Sequence, residues 1–590
     1  MIKRFTMTII LLLAFFESMQ AETYIRINIA GYRPADHKMA ILFSDQPISG
    51  PVEIKNLAGQ IVLKGEAIQS NKIGFAPFQY QYFFDFTSLL QIGTFIISTN
   101  SNSTLANITI KEDVYNSMPD ILLEFMRQQR CGYNPFFDQV CHQHDGRIMD
   151  GSIPDSTYID MTGGWHDAGD QLKYLITGSN ATARMIMAYQ LFPFTFKDEH
   201  NALGQKIRNN MPDVLDEAKW GLDWILKLHP APDLLIHQVA DDRDHTGWKY
   251  PYNDPSNYGW GKNSYRVGYA ATGKPQGLNK YNSLATGISN LAGRSAAALA
   301  LGYQVWNAKF DKAFAQTCLK AAEELYAMAK TKPGFQQGNS YGAPYRYNED
   351  TWTDDMEWAA AELYRATRKI NYLIDAKKYA DMTGELSWIQ KDTSAHYQFY
   401  PFLNMAHYSL YSLADGETKK KLATYYKNGI EQTIRQRASK NMYQIGSPFI
   451  WCSNNLLVDL GLQIYLYEKM TGDKKYRPYL FSLRDWLFGR NPWGTSMFMN
   501  IPTNGIYPRD VHTSTYAMTK KEVPGGLVDG PIYYSTYKTQ LGLRLTHEDA
   551  FAPFQNEYVV YHDDIGDYVT NEPTMDGTAC AVMFLACFAK

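Results

Sequence analysis

The sequence predicts a mainly α-helical protein in which a large α/α toroid follows a small β-sandwich. Between residues 22 and 112, short segments rich in β-branched and aromatic residues are typical of strands. From residue 115 onward, about a dozen longer segments carry apolar residues at helical spacing. Strands and helices do not alternate along this second part, which argues against a doubly wound or TIM-barrel fold.

The first 21 residues are typical of a secretory signal peptide. Lys3 and Arg4 precede the apolar run TIILLLAFF at 8–16. The run is too short for a comfortable membrane span, and no later segment approaches the necessary length. We expect cleavage after Ala21, with an uncleaved anchor as the alternative. No Cys stands at the cleavage point, so the mature protein is expected to be exported, periplasmic or secreted, without a lipid anchor.

The predicted β-sandwich spans residues 22–112. Its strand segments include YIRINIAGY, KMAILFS, FQYQYFFDFTSL and GTFIISTN, with Gly, Pro, Asn and Asp between them. A unit of about 90 residues built in this way has the size of an immunoglobulin-like domain.

The helical part, residues 113–590, is expected to form one large domain. In VLDEAKWGLDWILKLH, one stripe collects Leu215, Ala218, Leu222, Ile225 and His229. Long loops rich in Gly, Pro, Tyr and Asn join such segments. In a toroid these loops gather on one face, where function tends to lie. The chain ends soon after its last helical segment, so no C-terminal binding module is expected.

Composition narrows the function classes. The 590 residues carry a formal net charge of −3, so no basic field would attract nucleic acid. Aromatic residues make up 14% of the chain, and their flat faces suit sugar rings as well as a large helical core. Six Cys are too few for a disulfide scaffold. Four of them are interpreted as buried core thiols: Cys318, Cys452, Cys580 and Cys587.

Two acidic segments are candidates for chemistry. GGWHDAGDQLKY at 163–174 holds Asp167 and Asp170, which either close a turn or aim two carboxylates at one water. YHDDIGDYVTNEPTMDGTA at 561–579 holds Glu572 among aromatic residues, which would raise the pKa of a general acid. Inverting glycoside hydrolysis needs this division between acid and base, although solvated turn carboxylates explain the same residues.

Both segments closely resemble the two acidic signatures of glycoside hydrolase family 9, the inverting β-1,4-glucanases. HQVADDRDHTGW (237–248), GRNPWGTSMF (489–498), YPRDVHTS (507–514) and GGLVDGP (525–531) resemble further family segments in the same order. The N-terminal part resembles the immunoglobulin-like domain of one branch of this family. The resemblance implies an (α/α)6 catalytic domain, a β-glucan substrate, no organic cofactor and no nucleic-acid partner. We expect a monomer.

The resemblance also implies roles by position. Asp170 would be the general base, Asp167 would share and orient its water, and Glu572 would be the general acid. Gly169 would let the turn between the two aspartates close tightly. The residues expected to contact or support the substrate are His245, Trp248, His512, Asp563 and Tyr568.

One departure leaves the substrate open. Family members often carry an Arg two residues after the histidine that corresponds to His512, and here that position is Ser514. Either Arg509 replaces it from the other side, or the contact is absent. We expect soluble or branched β-glucans, with xyloglucan, mixed-linkage glucan, glucomannan and carboxymethylcellulose as alternatives. Exo-acting glucosidase or glucosaminidase activity, and glycan binding without catalysis, are the rival interpretations.

Cys131, Cys141, His142 and His144 resemble a structural zinc site. The family branch with the immunoglobulin-like domain has such a zinc, with two Cys, the His after the second Cys, and a later His. Around that later position the chain reads DSTYIDMTGG, where Tyr158 is the nearest candidate, so His144 is expected to serve instead. A Cys131–Cys141 disulfide is the alternative in an exported protein.

EDTWTDDMEWAAAELY at 349–364 aligns with a calcium-binding segment of the family. The expected ligands are Asp350, Thr351, Asp354 and Asp355, which offer hard oxygen atoms close in sequence. A helix N-terminus capped by Thr353 explains the same residues without a metal.

Overall fold

A computed structural model describes residues 22–99, 103–277, 279–343, 346–384 and 405–590. The predicted signal peptide, residues 1–21, lies outside the described residues. No helix in the described part of the chain is long and apolar enough to cross a membrane.

The N-terminal part folds into two four-stranded antiparallel sheets. One sheet has the order β1-β2-β6-β5, and the other has the order β4-β3-β7-β8. The strands are β1 Tyr24–Arg26, β2 Met39–Ser44, β3 Val52–Asn56, β4 Ile61–Gly65, β5 Ile68–Gln69, β6 Tyr80–Asp85, β7 Gly93–Thr99 and β8 Ala106–Ile110. Alternate residues of these strands, among them Ile54, Phe84 and Ile97, enclose a core between the sheets. The predicted β-sandwich is confirmed.

Twelve helices of the described residues form two concentric rings. The inner ring closes on itself through contacts between successive members: α2 Leu175–Leu191, α4 Ser289–Lys309, α6 Thr353–Thr367, α8 Met405–Tyr411, α10 Ser453–Thr471 and α14 Met575–Ala586. The outer ring holds α1 Met118–Gln128, α3 Asp213–Leu228, α5 Lys312–Thr331, α7 Ile370–Thr383, α9 Gly416–Thr433 and α11 Arg477–Leu487. Two short helices, α12 Ser514–Thr519 and α13 Tyr534–Tyr537, lie in loops.

The burial of each helix follows from its place in the inner or the outer ring. Every residue of α14 is buried, because an inner helix has neighbours on all sides. In the outer helix α3 the predicted stripe from Leu215 to His229 is buried, whereas Lys219, Trp220, Asp223 and Lys227 on another side are partly exposed. The (α/α)6 toroid predicted from the helical patterns is therefore confirmed.

Buried polar contacts join the sandwich to the toroid. Nη1 of Arg484 lies 2.6 Å from Oδ2 of Asp36, and neither side chain is exposed to water. Nδ2 of Asn28 donates to Oδ1 of Asp485 at 2.8 Å, and Nε of Arg26 donates to the Pro492 carbonyl at 2.9 Å. Charges buried at such an interface need these partners, so the two domains dock in one arrangement.

The loops between helices carry the remaining strands. A four-stranded sheet has the order β11-β14-β13-β12, and two small hairpins pair β9 with β10 and β15 with β16. Their bounds are β9 Tyr133–Asn134, β10 Gln139–Val140, β11 Asp145–Met149, β12 Lys173–Tyr174, β13 Ile236–Val239, β14 Arg266–Ala270, β15 Ile532–Tyr533 and β16 Val559–Val560. β12 lies within the first acidic segment and β16 directly precedes the second.

Candidate active site

The two acidic segments meet in one cavity. The Gly169 N–H donates to Oε1 of Glu572 at 2.8 Å, and the Met575 N–H donates to the Asp167 carbonyl at 2.9 Å. The cavity has a volume of about 140 Å³. It is lined by Asp167, Ala168, Asp170, Tyr174, His245, Arg346, Tyr347, Trp451, Cys452, His512, Asp529, Tyr568, Glu572 and Thr574. All three predicted catalytic carboxylates therefore line the same space.

Position 169 has no room for a side chain larger than that of glycine. A Cβ at this position would lie 2.3 Å from the His512 carbonyl oxygen and 2.7 Å from Oε1 of Glu572. Its backbone does not adopt the left-handed conformation that favours glycine elsewhere in the chain. The missing side chain thus lets the turn approach Glu572 and the loop that carries His512, here called the histidine loop. It does not serve to relieve a strained turn.

Asp170 is held in its ionised form. Burial alone would raise the pKa of Asp170, but His245 and the Leu172 N–H outweigh burial and lower it. Nε2 of His245 lies 3.5 Å from Oδ2 of Asp170, and the Leu172 N–H donates to Oδ1 at 2.9 Å. The bond to Asp170 in turn raises the pKa of His245 to about 9, against the effect of burial. An ionised carboxylate is what a general base requires.

Asp167 is fixed by two hydroxyl donors. The Thr177 hydroxyl donates to Oδ1 and the Tyr347 hydroxyl donates to Oδ2, each at 2.7 Å. Burial, followed by the charges of Asp576 and Asp170, raises the pKa of Asp167 well above its ordinary value. The pKa values of the two aspartates of the turn are therefore shifted in opposite directions although the residues are three positions apart.

Glu572 has the environment of a general acid. Burial, followed by the charges of Asp529 and Asp170, raises the pKa of Glu572 well above its ordinary value. Its Oε1 accepts the Gly169 N–H. A carboxyl group with a raised pKa beside a carboxylate with a lowered pKa matches the division of roles predicted from the sequence.

An aromatic wall flanks the carboxylates. The rings of Trp248 and His512 are 4.6 Å apart between centroids, and those of His512 and Tyr568 are 6.0 Å apart. Nδ1 of His512 lies 2.6 Å from the Ile565 carbonyl, which assigns the proton to Nδ1 and leaves Nε2 free to accept from a ligand. Trp248 is 41% exposed and does not line the cavity itself, so it offers aromatic surface beside the cavity.

Asp563 supports the histidine loop from below. Its carboxylate accepts the backbone N–H groups of Arg509 and Asp510 and the side-chain amide of Asn571, at 2.9 to 3.1 Å. These bonds tie the loop before His512 to the second acidic segment. Asp563 does not line the cavity itself, so its observed contacts are those of a supporting residue.

Of the two alternatives for the missing arginine, replacement by Arg509 is not supported by its contacts. Its guanidinium pairs with Glu522 at 3.0 Å and covers the ring of Tyr507, and it does not line the cavity. Ser514 uses its hydroxyl to bond the Gly169 carbonyl at 3.0 Å, so it braces the catalytic turn. The guanidinium in the cavity belongs to Arg346, which bonds Asn348 and the Tyr281 carbonyl.

Sequence reasoning missed several lining residues, among them Arg346, Tyr347, Trp451 and Asp529. Asp529 lies in GGLVDGP, a segment that only its family resemblance marks. Cys452, interpreted as a core thiol, is buried as expected but donates from Sγ to Oδ1 of Asp529 at 3.0 Å. No local pattern marks these residues, because separate loops bring them to the cavity.

A larger cavity of about 1120 Å³ lies beside Arg243. The ring of Tyr341 and the ring of Tyr258 lie on the Arg243 guanidinium, 4.0 Å and 4.7 Å from its carbon. Arg243 also pairs with Asp241 at 2.6 Å. Partly exposed aromatic rings such as Trp260 contribute to this cavity.

The cysteine–histidine group differs from the predicted one in its fourth member. Cys131, Cys141, His142 and His166 bring their ligand atoms within 4.8 Å of one another. His144 is exposed and packs against Tyr265 instead. The predictions that His144 completes the site and that Tyr158 marks the lost ligand are therefore wrong. Both Cys131 and Cys141 are free thiols in this structure, not a disulfide.

Backbone pairing explains why His166 joins the group. The Cys131 N–H donates to the Gly164 carbonyl and the His166 N–H donates to the Gln129 carbonyl, which aligns the two segments as antiparallel neighbours. The β9–β10 hairpin then returns Cys141 beside Cys131. His166 directly precedes Asp167, so this cluster adjoins the catalytic turn.

The donor geometry fits tetrahedral zinc. The His142 Nδ1 to His166 Nε2 distance is 3.3 Å, Cys131 Sγ to His142 Nδ1 is 3.6 Å, and Cys141 Sγ to His166 Nε2 is 3.9 Å. Zinc bonds of about 2.3 Å to sulfur and about 2.0 Å to nitrogen separate tetrahedral ligands by roughly 3.3–3.8 Å. Nε2 of His142 also lies 3.2 Å from Oδ2 of Asp254, the kind of carboxylate support that zinc-binding histidines have.

The four predicted calcium ligands do not converge. Nη2 of Arg294 in α4 lies 2.7 Å from Oδ1 of Asp355, so a guanidinium supplies the positive charge there. Asp350 is exposed, and the metal-like clusters among the described residues do not include these acids. Thr353 is the first residue of α6 and receives a bond from Thr383, so its predicted N-cap role is wrong too.

The comparison with protein families decides the assignment. The sequence profile described as Glycosyl hydrolase family 9 matches residues 115–585. The chain belongs to glycoside hydrolase family 9. A second profile, the cellulase N-terminal Ig-like domain, matches residues 20–104. The resemblance seen in the sequence is confirmed, and the protein is a cellulase-type glycoside hydrolase.

Relatives and solved structures agree with this membership. Endoglucanase 14 of Arabidopsis thaliana is 27% identical over 79% of this chain and 92% of its own length. Endoglucanase C of Cellulomonas fimi is 25% identical over 94% of this chain, which spans half of that longer protein. The crystal structure of a metagenome-derived family 9 endoglucanase is 25% identical, with a TM-score of 0.76 over 96% of this chain and 99% of that one.

Proposed function

We propose that this family 9 enzyme is an inverting endo-β-1,4-glucanase that acts on soluble β-glucans. Asp170 is the general base, Asp167 orients the attacking water with it, and Glu572 is the general acid. The observation that carries the proposal is the shared cavity in which Asp170, whose pKa His245 lowers against burial, and Glu572, whose pKa burial raises, lie on neighbouring segments. No organic cofactor takes part.

In this mechanism Asp170 takes a proton from water while the water attacks the anomeric carbon. Glu572 gives its proton to the glycosidic oxygen on the opposite face of the sugar, so the configuration inverts. His245 keeps Asp170 ionised before attack and donates to it. Tyr347 and Thr177 hold Asp167 in place and thereby limit the positions that the water adopts.

The surrounding residues bind the glucan. We assign Trp248 and Tyr568 to sugar stacking and His512 Nε2 to a sugar hydroxyl, with Asp563 holding the histidine loop. Arg346 takes the place of Arg509 as the guanidinium that faces the substrate. Xyloglucan, mixed-linkage glucan and carboxymethylcellulose are the substrates to compare.

Cys131, Cys141, His142 and His166 would hold a structural zinc ion. Such an ion would supply no chemistry to hydrolysis, and would fix the backbone immediately before Asp167. We do not assign calcium to the segment 350–355, because Arg294 neutralises Asp355 there.

We also propose that residues 1–21 are a signal peptide, that the domain boundary lies near residue 112, and that the mature enzyme is an exported monomer. The apolar run at 8–16 after Lys3 and Arg4 supports the signal peptide, and the change from strands to helices after Ile110 supports the boundary.

The test is a product profile with matched variants. We expect the parental enzyme to release a spread of oligosaccharides from at least one of the three polymers and from cellohexaose. Asp170→Asn and Glu572→Gln should lose at least about 1,000-fold of kcat, in the range typical of removing an acid or base, while melting as the parent does. Glucose as the sole product would favour an exo-acting glucosidase, and near-parental turnover by both variants would refute the assignment.

A further inference from the structure

Asp529 is a fully buried carboxylate beside the acid. Its N–H donates to the Glu572 carbonyl at 2.8 Å, and the neighbouring Val528 forms a bridge with Pro573. The segment 528–530 therefore runs along the backbone that carries Glu572. Both side chains line the same cavity.

Two donors fix the Asp529 carboxylate. The indole N–H of Trp451 donates to Oδ2 and the Cys452 thiol donates to Oδ1, each at 3.0 Å. Burial, followed by the charge of Asp529, raises the pKa of Cys452 well above its ordinary value, so the thiol keeps the proton that it donates. A carboxylate with a donor on each oxygen is stabilised in its ionised form.

Glu572 has fewer hydrogen-bond donors than Asp529. Its Oε1 accepts the single N–H of Gly169. Two buried carboxyl groups in one small cavity do not both ionise easily, and the better-solvated member ionises first. Burial raises the pKa of Asp529 well above its ordinary value, as it does for Glu572, while the bonds from Cys452 and Trp451 act against that rise. With two donors against one, Asp529 is the member of the pair whose ionised form is better stabilised.

Other titratable groups surround the pair. The catalytic turn contributes Asp167 and Asp170, and adjoining loops contribute His245, Arg346, Tyr347 and His512. The second acidic segment and α14 contribute Tyr568, Asp567 and Asp576. The positive groups are engaged elsewhere: His245 with Asp170, and Arg346 with Asn348 and the Tyr281 carbonyl. The carboxyl groups around Glu572 therefore outnumber these two cationic side chains, and Arg346, whose bonding partners are neutral, keeps its charge.

We propose that Asp529 is a positioning residue that acts through Glu572, with its fixed negative charge keeping the acid protonated until the glycosidic oxygen takes the proton. The inference rests on the proposed function, in which Glu572 is the acid. Asp529 touches no reacting atom in this account. After each turnover, the same charge favours return of a proton to Glu572.

The test is the pH dependence of kcat/KM for Asp529→Asn. The amide preserves the volume of the side chain and accepts from Trp451 through Oδ1. The thiol of Cys452 then no longer donates a hydrogen bond to this side chain. We expect the basic limb, which reports Glu572, to move to lower pH by about 1 or more. The acidic limb, which reports Asp170, should stay in place. At a fixed pH on the basic side, polymer hydrolysis by the variant should then be at least about tenfold slower than hydrolysis by the parent.

An activated substrate separates acid catalysis from a loss of structure. A 2,4-dinitrophenyl cellooligosaccharide has a leaving group that needs little protonation. Its hydrolysis by Asp529→Asn should remain near the parental rate at the pH where polymer hydrolysis is lost. Equal losses on both substrates would overturn the inference, since a merely structural role predicts that result.

Two Cys452 variants test the donor in a chain with Asp529 intact. Cys452→Ser keeps a donor and should leave the basic limb where it is, whereas Cys452→Ala should move it down by a smaller step than Asp529→Asn. An unshifted limb in Asp529→Asn, with Glu572→Gln inactive on the polymer, would overturn the role of Asp529 alone. Turnover of the polymer by Glu572→Gln would overturn the acid assignment and this inference together.

Discussion

Replacing Gly169 by alanine tests whether close approach controls the site. The new Cβ would lie 2.3 Å from the His512 carbonyl oxygen and 2.7 Å from Oε1 of Glu572. An ordinary contact requires the histidine loop to retreat by roughly 1 Å. A displacement of that size lowers turnover by about 100-fold, or about 2.7 kcal/mol in activation free energy. Overpacking should also cost about 1–3 kcal/mol of stability.

The assay compares kcat on a soluble glucan and thermal unfolding for Gly169→Ala and Gly416→Ala. Gly416 begins α9 with ordinary backbone geometry, and a Cβ there meets no atom within 4 Å. We expect the control to keep its activity and to lose no stability. If Gly169→Ala retained about a third or more of parental kcat, the argument that the missing side chain positions the acid and the histidine would be refuted.

Three single contacts lead to further predictions. His245→Asn removes the cation that lowers the pKa of Asp170, so the acidic limb of the kcat/KM profile should move to higher pH; a profile identical to the parent would contradict the assigned base. Asp254→Asn removes the carboxylate that supports His142 and should lower zinc affinity about 10- to 100-fold, measured by competition with a chelator. Two more thiols should react after zinc is removed than before. Equal zinc affinity of variant and parent would exclude this role of Asp254. Asp36→Asn breaks the buried pair with Arg484 and should cost about 3–5 kcal/mol of unfolding free energy at pH 7. Arg484 and Arg33 overcome burial and lower the pKa of Asp36. The stabilisation is therefore present above the unfolded pKa of about 3.9 and is lost as the pH falls through the lower folded value. The unfolding free energies of parent and variant should converge in acid.

The fold could be predicted from the sequence because the patterns that indicate it involve residues close together in the chain. The stripe on α3 and the mostly apolar sequence of α14 each predict which faces are buried, and the turn residues between strands mark the sandwich. Such patterns depend on residues a few positions apart, which share a helix face or a sheet face.

The errors involve contacts between distant segments. His144 looked suitable because it is close to Cys141 in sequence, whereas His166 reaches the cluster through pairing of residues 129–131 with 164–166. Asp355 looked like a metal ligand because its partner Arg294 lies on another helix. Spacing along the chain carries no information about such partners, and for the same reason it does not reveal Arg346 or Asp529.

The configuration of the first products tests the central claim most directly. Cellohexaose would be hydrolysed in an NMR tube, and the anomeric protons of new reducing ends would be followed before mutarotation proceeds. Because Asp170 is assigned to activate water on the face opposite Glu572, α-anomers should appear first and then equilibrate. Initial β-anomers would contradict the account, since they would require a covalent intermediate and a different role for Asp170.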